Sequence, residues 1–330
     1  MSIIWNAQTL LETMRQFQPA CILGTGAELD VFTALQDRST DAVTLAQALD
    51  CDPRGLTILL DSLVALGLLT KTNDHYTVPS DLAPLLCAGS PQNILPGIRH
   101  LANCQRRWAQ LATVVKNGGP ADITPSVRGS AGDLESFIRA MENYTLPFIQ
   151  TVVHHCRGIS FKHLLDIGGA GGHWTRGFLK AVPTARATLF DLPDVIPMAR
   201  QRLAEAGMLN CVTLVAGDYN TDALPSGVDL AWLSAITHQN SRSQNRTLYQ
   251  RIFTALSDGG TLLIRDNVLE TDRTCPVAGA LFAVNMLVAT EGGNSYSFAE
   301  YREDLKQAGF SDVALLHADE GMNALIRATR

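Results

Sequence analysis

Residues 164–173, Leu-Leu-Asp-Ile-Gly-Gly-Ala-Gly-Gly-His, constrain the fold more than any other stretch of the chain. A strand-like apolar run ends in an acid, Asp166, and enters four glycines. A second apolar run ends in another acid, Asp191, 25 residues later. That order builds a nucleoside-binding crevice at the carboxyl ends of parallel strands. From His163 onward, strand and helix patterns alternate. Strands are expected near 164–167, 187–191, 212–216, 230–234 and 261–266, with two more near 313–316 and 323–328. This is the βαβ signature of a doubly wound α/β sheet.

The spacing of the glycines narrows the ligand. A dinucleotide fingerprint needs Gly-x-Gly-x-x-Gly. Counting from Gly169, the sixth position is Trp174, so the third glycine is missing. There is no Gly-Lys-Ser/Thr, which excludes a P-loop. Asp166 would set negative charge against any phosphate. A phosphate-free nucleoside carrying a sulfonium and an ammonium, S-adenosylmethionine, suits an acid there. Asp191 is placed to accept both ribose hydroxyls, and Gly217-Asp218-Tyr219 offers a carboxylate and a ring beside an adenine. Each acid alone has an ordinary reading as a helix cap or turn residue. Together, at three successive strand ends, they point to the cofactor.

The N-terminal part is different. Residues 1–90 read as helices with one short β excursion. Ile22 to Leu35 carries apolar residues at helical spacing. Thr44–Leu49 is a short helix. Asp52-Pro53 supplies an N-cap and N1 proline for a helix over 54–66, and Gly67 ends it. Two short strands flanking Thr72-Asn-Asp74 make a hairpin. Helix–turn–helix followed by a hairpin is a winged-helix pattern, which serves either DNA binding or dimerisation. The would-be recognition helix is mostly Leu, Ile, Val and Ala, whereas a groove reader needs polar and basic side chains. Dimerisation is the expected role. Residues 91–160 read as connecting helices, with a long helix from Asp133 to Cys156 kinked before Pro147. Residues 161–330 form the cofactor-binding domain.

The net charge is −6, and the first 100 residues hold five basic residues against ten acidic ones. Nucleic acid and acidic membranes are therefore not expected partners. The seven cysteines are scattered and none form Cys-x-x-Cys, so they read as reduced cytoplasmic thiols. No leader and no membrane span are expected. His154, His155, Cys156 and His163 invite a metal reading, but neighbours on one helix cannot aim at one ion. No metal is expected.

On these segments the chain resembles the class I S-adenosylmethionine-dependent methyltransferases. Within them it resembles the O-methyltransferases with an N-terminal winged-helix dimerisation domain, of the plant caffeate and hydroxyindole type and the bacterial tailoring type. The matching segments are Glu28–Leu35, Leu165–Gly172, Phe190–Pro193, Gly217-Asp218 and a histidine after the fourth strand. The resemblance implies a Rossmann-like seven-stranded sheet, a homodimer and a small-molecule acceptor. It implies cofactor contacts at Asp166, Gly168, Gly169, Gly171, Asp191, Leu192, Gly217, Asp218 and Tyr219. It also implies that His238 is the general base and Asp266 the acid that orients it. Ser234 stands where the family has a lysine against the cofactor. A second family acid would fall at Ser295, with Glu291 as a candidate substitute.

A histidine base also has a physical argument. A phenol near pKa 10 lies ~3.5 units above histidine, so full proton transfer costs about 5 kcal/mol. A hydroxyl with a pKa near that of water would raise this to about 12 kcal/mol. Phenols and enols are therefore the expected acceptors. The pocket is expected to be lined by Met141, Tyr144 and Phe148 and by Phe282, Asn285 and Met286. Core packing is the ordinary reading for the apolar ones. Asn285 needs a polar partner if buried, and a substrate oxygen is one candidate. Three alternatives stay open: a same-fold enzyme with C-methylating or non-methylating chemistry, a winged-helix regulator, and a nicotinamide oxidoreductase.

Overall fold

The computed structural model describes residues 4–330, which divide into two compact units. One comprises the chain up to Arg106 together with Ile123–Asn143. The other comprises Arg107–Asp122 and Tyr144–Arg330.

The N-terminal unit begins with α1 (Ala7–Arg15), α2 (Phe17–Glu28) and α3 (Val31–Ala34). The expected single helix over 22–35 is thus two helices. Asp30 adopts left-handed backbone (φ +59°) and ends the run. Its carboxylate is held by both Arg99 and Arg128. A long-range ion-pair cluster overrides the local periodicity there. Strand β1 (Thr40–Asp41), α4 (Ala42–Ala48), α5 (Pro53–Ala65), β2 (Thr70–Thr72) and β3 (His75–Thr77) follow. The Asp52 side chain accepts from Gly55 N at the start of α5, and Gly67 sits at φ +74° beyond its end. The three strands form one small antiparallel sheet, so helix–turn–helix and wing are both present. Buried Phe32, Leu60, Leu63, Leu69 and Tyr76 knit them together. Helices α6 (Ala83–Leu86) and α7 (Leu95–Trp108) come next. After α8 (Leu111–Asn117), which belongs to the other unit, α9 (Gly129–Thr145) completes the set. The expected kink at Pro147 is a 3-10 turn over Leu146–Phe148, between α9 and α10 (Ile149–His155).

The C-terminal unit is built on seven strands. These are β4 (His163–Ile167), β5 (Arg186–Asp191), β6 (Val212–Ala216), β7 (Val228–Ser234), β8 (Leu256–Asp266), β11 (Ser311–His317) and β12 (Ala324–Thr329). Their order is β11-β12-β8-β7-β4-β5-β6, with β12 antiparallel to both its neighbours and the other six strands running in one direction. From β4 the chain runs outward to β5 and β6, then returns to β7 on the other side of β4. That reversal opens a crevice at the carboxyl ends of β4 and β7.

The central strands are buried on both faces, as parallel strands between helices must be. One face packs Trp232, Leu164 and Leu189 against α10, α11 (His173–Ala181) and α12 (Ile196–Glu205). The other packs Leu233, Ile264 and Leu165 against α13 (Arg242–Ala255) and α15 (Phe298–Gln307). Beyond β8, a two-stranded parallel pair, β9 (Val268–Leu269) with β10 (Tyr296–Ser297), brackets α14 (Val277–Ala289).

Candidate functional site

The glycine loop is pressed onto its neighbours. A Cβ on Gly168 would come 2.7 Å from Ile236 Cδ1, and one on Gly169 2.6 Å from Leu189 Cγ. Gly168 also needs φ +68°, a region that glycine enters without steric cost. At Gly171 a Cβ would meet only Arg202 at 3.8 Å, so packing does not require glycine there.

Two carboxyls close the crevice floor. Asp166 is 1% exposed, and its Oδ2 accepts from Thr175 Oγ1 at 2.6 Å and Thr175 N at 3.2 Å. Burial, with the charge of Asp191, pushes it up to about 7 against those bonds. Asp191 Oδ2 accepts from Ala170 N and Oδ1 from Leu192 N, each at 2.7 Å. Burial pushes its carboxyl up as well. The two backbone donors fix both oxygens while leaving each a further lone pair. At the end of β6, Gly217 lies under the Phe190 ring, where a Cβ would stand 2.5 Å from Cζ. Asp218 Oδ1 accepts from Asn220 N at 2.8 Å. The Tyr219 hydroxyl is pushed up to about 12 by burial and by the charges of Asp218 and Asp191. Leu192 is half exposed beside this group. Ser234 does not stand open. Its Oγ accepts from Arg265 Nη1 at 3.2 Å, and Arg265 is a buried guanidinium stacked over Trp174.

At the end of β7 a 3-10 turn, Thr237–Gln239, carries His238. Its Nδ1 meets Asp266 Oδ1, at the end of β8, at 2.7 Å. Both side chains are buried. Thr237 Oγ1 donates to Asp266 Oδ2 at 2.5 Å, and Asn267 N donates to Oδ1 at 2.8 Å. With its only proton on Asp266, the Thr237 hydroxyl accepts from Tyr301 OH at 2.7 Å. Burial alone would push the Asp266 carboxyl up. The His238 charge and hydrogen bonds from His238, Thr237 and Asn267 outweigh it and hold the carboxyl below its ordinary range. Among the described residues His238 Nε2 has no partner, and the ring sits edge-on to Phe282 at 4.7 Å. An imidazole oriented by a buried carboxylate, with the other nitrogen open, is built to take a proton.

The acceptor residues are less uniform. Phe282, on α14, packs against the His238 ring. Asn285 is half-buried and accepts at Oδ1 from Trp108 Nε1 at 2.9 Å, so its carbonyl end has a protein partner. Met286 is buried. Tyr144 and Phe148 are exposed, at the end of α9 and in the 3-10 turn after it, and Met141 lies on α9 in the N-terminal unit. Glu291 is exposed and makes no bond to His238. Ser295 is fully buried and donates to Gly279 O at 2.8 Å. Among the described residues Asp266 is the one acid bonded to His238. Among the described residues no group of three or more His, Cys, Asp or Glu is arranged for a metal.

A family model described as the O-methyltransferase domain matches residues 122–311, and one described as the O-methyltransferase dimerisation domain matches residues 11–85. The chain belongs to the O-methyltransferase family. The methyltransferase is 29% identical to 3-hydroxy-5-methyl-1-naphthoate 3-O-methyltransferase of Streptomyces sahachiroi, over 99% of this chain and 92% of the relative. It is 30% identical to acetylserotonin O-methyltransferase of Bos taurus, over 92% of each. The solved structure of PigF with SAH superposes with a TM-score of 0.85 at 27% identity, over 99% of this chain and all of that one.

The methyltransferase uses S-adenosylmethionine, and its crevice fits that donor. Two carboxyls pushed up by burial, Asp166 also by the charge of Asp191, suit a cation and repel a phosphate, and the glycines leave the backbone open for close approach. The sequence motifs did not mark Thr237, Tyr301, Thr175, Arg265 or Trp108. Thr175 bonds Asp166 from nine residues away, and the others act across 29 to 177 residues, so no local spacing signals them.

Proposed function

We propose that this methyltransferase moves a methyl group to a phenolic or enolic oxygen of a small secondary-metabolite acceptor, with His238 as the base. The observation that carries this is the His238 Nδ1–Asp266 Oδ1 contact at 2.7 Å with Nε2 left open. S-adenosylmethionine, when bound, supplies a methyl group on a sulfonium. Asp191 holds its ribose, Asp166 faces its amino-acid end, and Gly168, Gly169, Gly171 and Gly217 let it lie against backbone. Leu192, Asp218 and Tyr219 flank the base of the nucleoside, and Ser234 sits at the crevice rim.

His238 Nε2 would accept the acceptor's hydroxyl proton as the oxygen takes the methyl group, the S–CH3 bond breaking to leave a neutral thioether as S-adenosylhomocysteine. The buried Asp266 carboxylate fixes the ring and opposes the charge that appears on it. Fixing both reactants in one crevice supplies much of the rate by proximity. Phe282, Asn285 and Met286 on α14 shape the acceptor pocket. The naphthoate relative and a polyketide 8-O-methyl transferase relative from Streptomyces glaucescens support an aromatic hydroxyl.

The reading includes a homodimer formed through the N-terminal domain, supported by the dimerisation-domain match. It also includes a cytoplasmic setting, supported by seven free cysteines. The test is methyl transfer from S-adenosylmethionine labelled in the methyl group to a panel of phenols, enols, carbon acids and aliphatic alcohols. Label in an aryl or enol ether is expected. Label only on carbon, or no transfer to any phenol or enol, contradicts the proposal.

A further inference from the structure

Asn285 lies three residues after Phe282 on α14, so the two side chains share a helix face. Phe282 packs against the His238 ring. The Asn285 carboxamide is therefore on the side of α14 that looks toward the base, about 4.5 Å further along the helix.

What Asn285 offers a ligand depends on which way the amide is turned, and one contact settles that. An indole nitrogen can only donate, so the atom 2.9 Å from Trp108 Nε1 is the carboxamide oxygen. The amide end then points the other way. Among the described residues, Nδ2 has no hydrogen-bond partner, which leaves two N–H donors on the helix that carries Phe282 to His238.

Trp108 is itself fixed. Its ring packs with Leu111, Val114, Ala121 and Val288. The segment carrying it is tied back to α14, since Ala121 N donates to Val288 O at 2.9 Å. Gln110 and Asp122 exchange two further hydrogen bonds, each 3.0 Å, that close the segment into a loop. A side chain anchored this way holds its partner in one orientation at little further cost in side-chain entropy.

We propose that Trp108 is a positioning residue that locks Asn285 as a hydrogen-bond donor, and that it selects acceptors carrying a carbonyl oxygen next to the hydroxyl to be methylated. This rests on the phenolic reading above and names the substrate class within it. A carboxamide free to turn would present oxygen or nitrogen and would not discriminate. A locked one presents only N–H. It pairs with a carbonyl on the same or a fused ring and gives nothing to an acceptor without one.

The probes are 1-hydroxy-2-acetonaphthone, which carries the adjacent carbonyl, and 1-naphthol, which lacks it. The readout is the ratio of their kcat/KM values. A general folding defect lowers both alike and leaves that ratio unmoved. In Trp108→Phe the ratio falls about tenfold, the worth of one oriented hydrogen bond, through a higher KM for the ketone. Asn285→Asp keeps the shape, removes the donor, and lowers the ratio at least as far. An unchanged ratio in both variants overturns the proposal, as does a wild-type enzyme that methylates 1-naphthol but not the ketone. Failure of the wild type to methylate either naphthol, or any phenol of the panel, overturns the phenolic reading and this inference with it.

Discussion

At the scale of single residues the site is a chain of hydrogen bonds with one open end. Tyr301 donates to Thr237, Thr237 to Asp266, and Asp266 holds His238, whose Nε2 has no partner among the described residues. Asp266→Asn keeps this geometry but removes the charge that stabilises a protonated ring. Its kcat is expected to fall by about 10²–10⁴-fold, while S-adenosylhomocysteine binding, measured by calorimetry, is retained. Asp166 gives a second expectation. Its folded pKa of about 7 lies above the ordinary 3.8. Between those values the folded protein holds a proton that the unfolded chain releases, so ligand-free stability falls as pH rises from about 4 to about 7 and is flat above. A ligand ammonium favours the carboxylate, so S-adenosylhomocysteine should bind more tightly at about pH 8 than at about pH 6. Calorimetry at both values, with Asp166→Asn flattening the difference, checks this. Asp166, Asp191, His238 and Asp266 were legible because each ends or follows a strand. Thr237 and Tyr301 were not, because 29 and 64 residues separate them from their partners.

At the scale of elements, the glycines sort into two kinds. Gly217→Ala drives a methyl into the Phe190 ring and should cost about 1–3 kcal/mol, seen as a lower melting temperature. Gly171→Ala meets nothing closer than 3.8 Å. It should leave the melting temperature nearly unchanged while weakening S-adenosylhomocysteine binding. Equal effects of the two substitutions on both measurements would contradict this division. Strand positions were legible because buried parallel strands are written as short apolar runs bounded by turns. The helix over 22–35 was misread because the residue that breaks it, Asp30, is held by arginines about 70 and 100 positions away.

At the scale of the whole molecule, the chain crosses between its units three times, so residues 107–122 belong with the catalytic unit although they precede α9. No shift of composition marks that excursion, and it carries Trp108 to Asn285. The acceptor pocket was accordingly the least legible part. In the N-terminal unit, Leu10, Leu11 and Met14 leave more than half of each side chain exposed on α1. We propose that this face, on a domain that matches the dimerisation family, is the dimer interface. A double substitution, Leu11→Glu with Met14→Glu, should move the protein from dimer to monomer in light scattering behind a sizing column. A variant that stays dimeric at micromolar concentration would place the interface elsewhere. Among the described residues no helix is long and apolar enough to cross a membrane.

The most direct test of the account is the single-turnover rate of methyl transfer to a phenolic acceptor by His238→Ala. The acceptor is first chosen from the panel with the wild-type enzyme, and S-adenosylhomocysteine affinity is measured alongside. The expected result is a rate at least about 10²-fold below wild type with affinity unchanged. A variant that binds the cofactor product normally and transfers at the wild-type rate would show that His238 is not the base.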